Sequence, residues 1–221
     1  MTELQIRQKV VETANQWIGV KKGSAAHKAL IETYNTISPL PRGYKLTTQD
    51  HWCAGFVSAV AVQSGESAIF ALECSCTKMV AIYKEMGRWE ERDDYRPQIG
   101  DVTFYRWDDG ADYRTTDQKK NPNHVGIVTE VSGDAFSVTE GNMSINGVSQ
   151  VGVRLMEVNG RYIRGFGLPN YASKAAADGP WYEAPMQWAK DMGLMDGTRP
   201  TDTVTRAELA TVCKRLYELM E

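Results

Sequence analysis

The hydrophobic periodicity of this chain changes near Pro97, and that change constrains its fold more than any other feature. Before Pro97, apolar residues recur at helical spacing, which predicts helices over 6–17, over 27–34, from 50 onward and over 77–84. After it, short alternating or β-branched runs separated by Gly, Asn and Asp turns predict antiparallel strands over 101–105, 124–131, 135–142, 150–158 and 161–166. Helices followed by strands are typical of an α+β domain with two layers.

The composition argues against two kinds of partner. A net charge of −3 over 221 residues provides no basic face for phosphates, so nucleic acid is not an expected partner. No apolar run approaches the ~20 residues that a membrane-spanning helix needs, so no membrane partner is expected either. Residues 1–20 are polar and amphipathic, which is not typical of a secretory signal peptide.

A second unit is predicted beyond Pro169. An alanine run followed by Gly and Pro indicates a connecting segment. We therefore assign 1–171 to one domain, 172–180 to a linker and 181–221 to a small helical segment.

The last helix is expected to open at Thr205, because Thr205 and Glu208 have the spacing of a capping box. Its apolar stripe requires a partner surface and consists of Leu209, Val212, Cys213, Leu216 and Met220. Because free cysteine packs like a small hydrophobic residue, Cys213 is predicted to be a buried core thiol.

Two clusters of possible metal ligands have simpler interpretations. Cys74 and Cys76 are too close in sequence for the usual zinc spacing, and no second Cys or His pair lies nearby. The insertion 106–123 is expected to be a solvated loop, although four of its residues could hold calcium: Asp108, Asp109, Asp112 and Asp117. No metal and no cofactor is assigned.

Cys53 is the candidate nucleophile. If Asp50 caps the helix that begins there, Cys53 lies in the first turn of that helix. The unpaired amides and the dipole at a helix start favour thiolate over thiol, and the same amides can stabilise an oxyanion. The alternative is a buried structural cysteine, since a cysteine at a helix start is a weak signal by itself.

His124 is the candidate base, because it alone of the three histidines opens a clear strand. A three-residue turn in the following hairpin would pair Val131 with Ala135. Counting outward, His124 then faces Asn142 and has Glu140 as a diagonal neighbour, so a carboxylate and an amide can orient the imidazole. A register shift of one residue would turn both side chains to the other face.

These residues resemble the catalytic set of the CHAP family, the cysteine, histidine-dependent amidohydrolases/peptidases of the NlpC/P60-like, papain-like superfamily. By that resemblance, Cys53 is the nucleophile, His124 is the general base and later the acid, and Glu140 and Asn142 orient it. The resemblance extends from about residue 5 to residue 171 and is carried by the motifs at 50–57, 99–102, 124–128 and 138–142.

The resemblance implies a papain-like cysteine hydrolase in which N-terminal helices pack on the sheet. It implies an amidase or endopeptidase whose substrate is peptidoglycan, cut at the muramoyl–alanine amide, in the stem peptide or in the cross-bridge. Such an enzyme acts at the bacterial cell wall. Without a signal peptide it is expected to stay in the cytoplasm until released, as a phage or prophage endolysin does, unless the chain is a trimmed form.

Residues 181–221 resemble a single S-layer homology repeat, which implies binding to a cell-wall polymer; the alternative is a helical pair that simply packs. Two other functions stay open for the whole chain. One is a cytoplasmic cysteine peptidase or acyl transferase that acts on cell-wall fragments. The other is a wall-binding module without activity.

Overall fold

The computed structural model describes residues 1–108, 110, 112–114, 119–177, 182–198 and 201–218. The chain divides into two compact units. The larger unit is Leu4–Tyr171, and the smaller one combines Met1–Glu3 with Ala172–Glu221. Helices and an antiparallel sheet are both present, so the α+β class predicted from the sequence is confirmed. Within the described residues, no helix is both long enough and apolar enough to cross a membrane.

Four helices precede the main strands, and all four were predicted within a few residues of their bounds. They are α1 (Glu3–Asn15), α2 (Ala25–Asn35), α3 (Cys53–Gln63) and α4 (Cys76–Glu85). Ser24 caps α2, because its side chain accepts a hydrogen bond from the backbone N–H of His27.

Helix α3 begins at Cys53, and the prediction that Asp50 caps it is wrong. Trp52 occupies the N-cap position, and no side chain bonds to the amides of the first turn. The Asp50 carboxylate instead accepts hydrogen bonds from Thr47 and from the Tyr44 hydroxyl, which closes the preceding turn. Cys53 nevertheless lies in the first turn of the helix, as expected.

Six strands form one antiparallel sheet in the order β1-β6-β2-β3-β4-β5. The sequence predicted five of them, and it missed the two-residue edge strand β1. The strands are β1 (Trp89–Glu90), β2 (Val102–Tyr105), β3 (His124–Ser132), β4 (Ala135–Ile145), β5 (Val148–Glu157) and β6 (Ile163–Gly167). Strand β3 therefore lies in the interior of the sheet, between β2 and β4.

The β3–β4 hairpin differs from the prediction at its turn and agrees with it farther along. Ser132 pairs with Ala135, so the loop has two residues, and the predicted pairing of Val131 with Ala135 is wrong. A β-bulge in β3 then shifts the register, so that Val128 pairs with Val138 as predicted. The extra residue in the bulge compensates for the shorter turn.

Helix α3 packs between α2 and the strands β3 and β4. All of its residues from Cys53 to Ala61 are buried, as is typical of a helix that is apolar on every side. Gly141 of β4 allows the close approach, because a Cβ there would collide with the Phe56 side chain. The start of α3 is thereby held against the strand next to His124.

Asp101, at the start of the sheet, connects it to α1. Its buried carboxylate accepts hydrogen bonds from Arg7 at 3.0 Å, from the Tyr95 hydroxyl at 2.7 Å and from the backbone N–H of Gln98 at 2.8 Å. Arg7 also donates to the carbonyl of Ile99. A largely buried cation and a buried anion thus satisfy each other across two elements.

The acidic insertion between β2 and β3 contains local ion pairs. Asp108 pairs with Arg106 and Lys120, whereas Asp109 and Asp117, two of the four possible calcium ligands, lie outside the described residues. In the described part of the chain, no group of three or more His, Cys, Asp or Glu side chains is arranged to hold a metal ion.

The C-terminal segment contains α5 (Tyr171–Ala177), α6 (Glu183–Asp191) and α7 (Arg206–Glu218). The linker predicted over 172–180 is thus helical at its start, and 178–180 lie outside the described residues. The capping box is confirmed: the backbone N–H of Thr205 donates to Glu208 at 2.8 Å, and that of Glu208 donates to the Thr205 hydroxyl at 3.2 Å.

Cys213 is exposed, so the prediction of a buried core thiol is wrong. Helix α7 has no buried residue among those described, and Leu209 on the same stripe is exposed as well. Among the described residues after α5, the buried ones are Ala189 and Leu194, which belong to α6 and the turn after it. Apolar periodicity identified the stripe correctly but does not specify whether a surface covers it.

We expect Asp101→Ala to lower the free energy of unfolding by about 3–5 kcal/mol, because it leaves the Arg7 guanidinium without its buried carboxylate. Urea denaturation followed by circular dichroism measures the change. Arg92→Ala is the control, since it breaks an exposed ion pair with Glu90 and should cost at most about 1 kcal/mol. Equal effects of the two substitutions would contradict the structural role of Asp101.

Candidate active site

Cys53 lies at the start of the buried helix α3, and only 5% of its surface is exposed. The backbone N–H of Ala54, next to the sulfur, helps to lower the pKa of the Cys53 thiol. Because no side chain caps this helix, the positive end of its dipole is not neutralised there. This environment favours a negative charge on the Cys53 sulfur.

His124 connects Cys53 to Glu140. The ring is 6% exposed, and its Nε2 donates to Oε2 of Glu140 at 2.9 Å. The Cys53 sulfur interacts with the imidazole, which lowers the pKa of the thiol and raises that of the ring. Because Nε2 contacts Glu140, the nitrogen available to Cys53 is Nδ1. Three of the four site residues predicted from the sequence therefore interact in the order Cys53, His124, Glu140.

Glu140 is fully buried, and a second cation holds it in place. Arg154 donates to both carboxylate oxygens, from Nε at 2.8 Å and from Nη2 at 3.0 Å. Gly126 provides the space, because a Cβ there would lie 2.7 Å from Cγ of Glu140. Glu140 thus occupies the space that a side chain at position 126 would fill.

Arg154 is the functional residue that the sequence analysis missed. It lies on β5 directly opposite Val138, whereas Gly152 lies opposite Glu140. Arg154 could have been identified from its position in the sheet. It lies on the neighbouring strand, diagonal to the buried Glu140, and the residue opposite Glu140 is a glycine. That position depends on the β4–β5 register, which the sequence analysis did not derive.

The hydrogen bonds of Asn142 go to residues other than His124. Its Nδ2 donates to Nδ1 of His51 at 3.3 Å, and its Oδ1 accepts from the Ser149 hydroxyl at 2.8 Å. The β4–β5 register shifts between Glu140 and Met143, and Asn142 has a φ of 58°. This irregularity ends the regular alternation from which the placement opposite His124 was predicted.

The charges at the site stabilise one another. Hydrogen bonds from the Cys76 thiol and from His124, with the charge of His124, outweigh burial and hold the pKa of Cys53 well below its ordinary value. Burial opposes the imidazolium, but hydrogen bonds and negative charges of Cys53 and Glu140 raise the pKa of His124 to about 9. Both shifts favour a thiolate and an imidazolium over the uncharged pair.

An exposed aromatic side chain borders the candidate base. Trp107 stacks on Tyr105 with ring centroids 4.9 Å apart, and its ring centroid lies 5.5 Å from that of His124. The Arg154 guanidinium lies 4.7 Å from the Trp107 ring centroid, within the range of a cation–π contact. The exposed ring gives the site a flat apolar surface that a substrate can contact.

We expect Glu140→Gln to lower the pH at which His124 loses its proton by about 1–3 units, because it removes a negative charge that stabilises the imidazolium. NMR titration of the His124 ring measures the midpoint in both proteins. Glu130→Gln, an exposed position on β3, serves as control and should leave the midpoint unchanged. A midpoint that Glu140→Gln does not lower would show that Glu140 does not stabilise the imidazolium.

Comparison with known proteins points to one domain family. No curated protein and no solved structure is significantly similar to the chain. The family model of the CHAP domain matches residues 43–142. CHAP domains are typically hydrolases that act on peptidoglycan. The matched segment contains Cys53, His124, Glu140 and Asn142, whereas Arg154 lies beyond its end.

Proposed function

We propose that this protein is a papain-like cysteine hydrolase that cleaves an amide bond in bacterial peptidoglycan, with Cys53 as nucleophile and His124 as proton carrier. The observation that carries the proposal is the hydrogen bond between His124 and buried Glu140, together with the interaction of His124 with Cys53 that lowers the pKa of the thiol. A nucleophile, a base and an orienting carboxylate in that order are the arrangement that acyl transfer requires. The match to the CHAP domain supports peptidoglycan as the substrate.

The first half-reaction forms a thioester. The Cys53 thiolate attacks the carbonyl carbon of the scissile amide, and the carbonyl oxygen takes up negative charge. His124 donates its Nδ1 proton to the leaving nitrogen as the C–N bond breaks. The amine product leaves, and the acyl group stays on the Cys53 sulfur.

The second half-reaction releases the acid. Neutral His124 now removes a proton from water, and the water oxygen attacks the thioester carbon. The C–S bond breaks, so Cys53 becomes a thiolate again while His124 is again an imidazolium. The carboxylic acid product leaves and loses its own proton to the solvent.

The start of α3 supplies the stabilisation of the oxyanion. The helix has no side-chain cap, so the backbone N–H of Cys53 is left for the carbonyl oxygen of the substrate. A preorganised backbone donor of this kind is worth about 3–4 kcal/mol in transition-state stabilisation. The same dipole that favours the thiolate therefore also favours the tetrahedral intermediate.

Glu140 and Asn142 have different parts in this mechanism. Glu140 orients His124 and is itself held by Arg154, so both are positioning residues. Asn142 contacts His51, which is exposed and lies two residues before the nucleophile. Asn142 therefore positions the segment that leads into α3.

We expect Cys53→Ala to reduce the release of soluble fragments from purified peptidoglycan by about 10³-fold or more, since it removes the nucleophile. Turbidity of the wall suspension measures clearance, and mass spectrometry of the fragments identifies the new chain ends. A new amino group on the alanine that was bound to muramic acid indicates an amidase, whereas new ends within the peptides indicate an endopeptidase.

The matched control is Cys213→Ser, which removes an exposed thiol in the smaller unit and should leave clearance unchanged. Clearance by the Cys53→Ala protein would remove Cys53 from its proposed role. Absence of clearance by the wild type, with binding to the wall retained, would favour a module without activity. New amide bonds to an added amine would indicate acyl transfer in place of hydrolysis.

We also propose that residues 181–221 bind a cell-wall polymer, a proposal that rests on the S-layer resemblance alone. Two Cys53→Ala proteins, full-length and ending at Tyr171, are compared by sedimentation with purified wall. We expect the deletion to weaken binding by about tenfold or more, because the second binding contact is lost. Circular dichroism confirms that the shorter protein is folded, and equal sedimentation of the two proteins would refute the proposal.

A further inference from the structure

A second thiol lies in contact with the candidate nucleophile. The sulfurs of Cys53 and Cys76 are 3.7 Å apart, and both side chains are buried. Cys53 is the first residue of α3 and Cys76 the first residue of α4, so each sulfur is carried by the start of a helix. The hydrolytic mechanism uses Cys53 and leaves Cys76 without a role in any bond-making step.

The other two cysteines have different surroundings. The Cys74 sulfur accepts a hydrogen bond from Arg42 at 3.4 Å and lies next to Glu73. Cys213 is exposed and belongs to the smaller unit. Cys76 is therefore the thiol that the fold holds against Cys53.

We propose that Cys53 and Cys76 form a reversible disulfide when a hydroperoxide oxidises Cys53, which makes this pair a redox modification site. A disulfide requires sulfurs about 2.05 Å apart, so rotation about the two Cα–Cβ bonds has to close the remaining distance. The loss of hydrolysis on oxidation rests on the function proposed above. Formation of the disulfide does not.

The chemistry needs only a hydroperoxide as oxidant. The Cys53 thiolate attacks the terminal peroxide oxygen and the O–O bond breaks, while the other oxygen takes the proton of the His124 imidazolium and leaves as water or an alcohol. Cys53 is then a sulfenic acid. The Cys76 sulfur attacks the Cys53 sulfur, the S–O bond breaks, and the hydroxyl leaves as water with the proton of Cys76. Two electrons from two thiols thus reduce one peroxide.

The electrostatics of the pair favour this order of steps. Cys53 carries the negative charge and is therefore the sulfur that reacts with peroxide. The hydrogen bond and the charge of Cys53, together with burial, raise the pKa of Cys76 well above its ordinary value. Once Cys53 is a neutral sulfenic acid, that charge is gone, and Cys76 loses its proton more easily. Oxidation of the first thiol thereby activates the second.

The experiment treats the full-length protein with hydrogen peroxide and maps its cysteines by mass spectrometry. Cleavage after Glu66 and Glu73 separates Cys53 from Cys74 and Cys76. We expect the number of alkylatable thiols to fall from four to two and to return to four with dithiothreitol. In wild type and in Cys74→Ser, the Cys53 peptide should be joined to the peptide that contains Cys76.

Cys76→Ser is the diagnostic variant. Without the second thiol, we expect Cys53 to proceed to the sulfinic acid, which dithiothreitol does not reduce. Wall clearance, relative to each unoxidised protein, should fall more than tenfold on oxidation in both proteins and should recover with dithiothreitol only in wild type.

Two results would overturn the inference. One, read on wild type by mass, is Cys53 as sulfinic acid with Cys76 still a free thiol. The other is Cys53 joined to a cysteine other than Cys76, which shows as a link to the Cys213 peptide or as loss of the link in Cys74→Ser. If the untreated protein clears no wall while the disulfide forms, the hydrolase proposal fails and the modification site stands.

Discussion

The buried carboxylate of Glu140 is the group on which the rest of the site depends. An isolated carboxylate in a protein interior costs several kcal/mol even after relaxation, so Glu140 stays ionised only because two cations bond to it. Arg154 satisfies both oxygens, and His124 adds a third hydrogen bond. The balance holds the pKa of Glu140 below its ordinary value although burial raises it. Its negative charge favours the protonated form of the imidazole, which in turn stabilises the Cys53 thiolate.

The fold supplies the positions, and the charges supply the reactivity. Helix α3 is buried on all sides, so its N-terminus cannot move without disturbing the core. The sheet supplies His124, Glu140 and Arg154 from three adjacent strands, β3, β4 and β5, whose spacing is fixed by backbone hydrogen bonds. Glycine at 126 and at 141 removes the side chains that would separate these elements. The precision of the site therefore comes from regular elements and does not depend on loops.

Much of this arrangement could be predicted from the sequence, because the spacing of apolar residues and the residue types of turns are local properties of the chain. The helices, the five longer strands and the Thr205 capping box follow from such patterns. The meeting of Cys53, His124 and Glu140 was also predicted. The prediction assumed a three-residue turn and no bulge in β3, whereas the hairpin has a two-residue turn and a bulge that compensates for it. Local patterns do not reveal which side chains meet across the fold. Arg154, the second thiol at Cys76 and the exposed ring of Trp107 became visible only when the strands and helices were assembled.

The same electrostatics that make a thiol a nucleophile toward an amide also make it a target for oxidation. A thiolate reacts with peroxides as well as with carbonyl carbons, and both reactions depend on the charge that His124 and Glu140 stabilise. The remaining protection lies in what happens after the first oxidation step. A second thiol 3.7 Å away limits the damage to a bond that thiols can reduce. The position of Cys76 at the start of its own helix is thus most simply understood as part of the chemistry of Cys53.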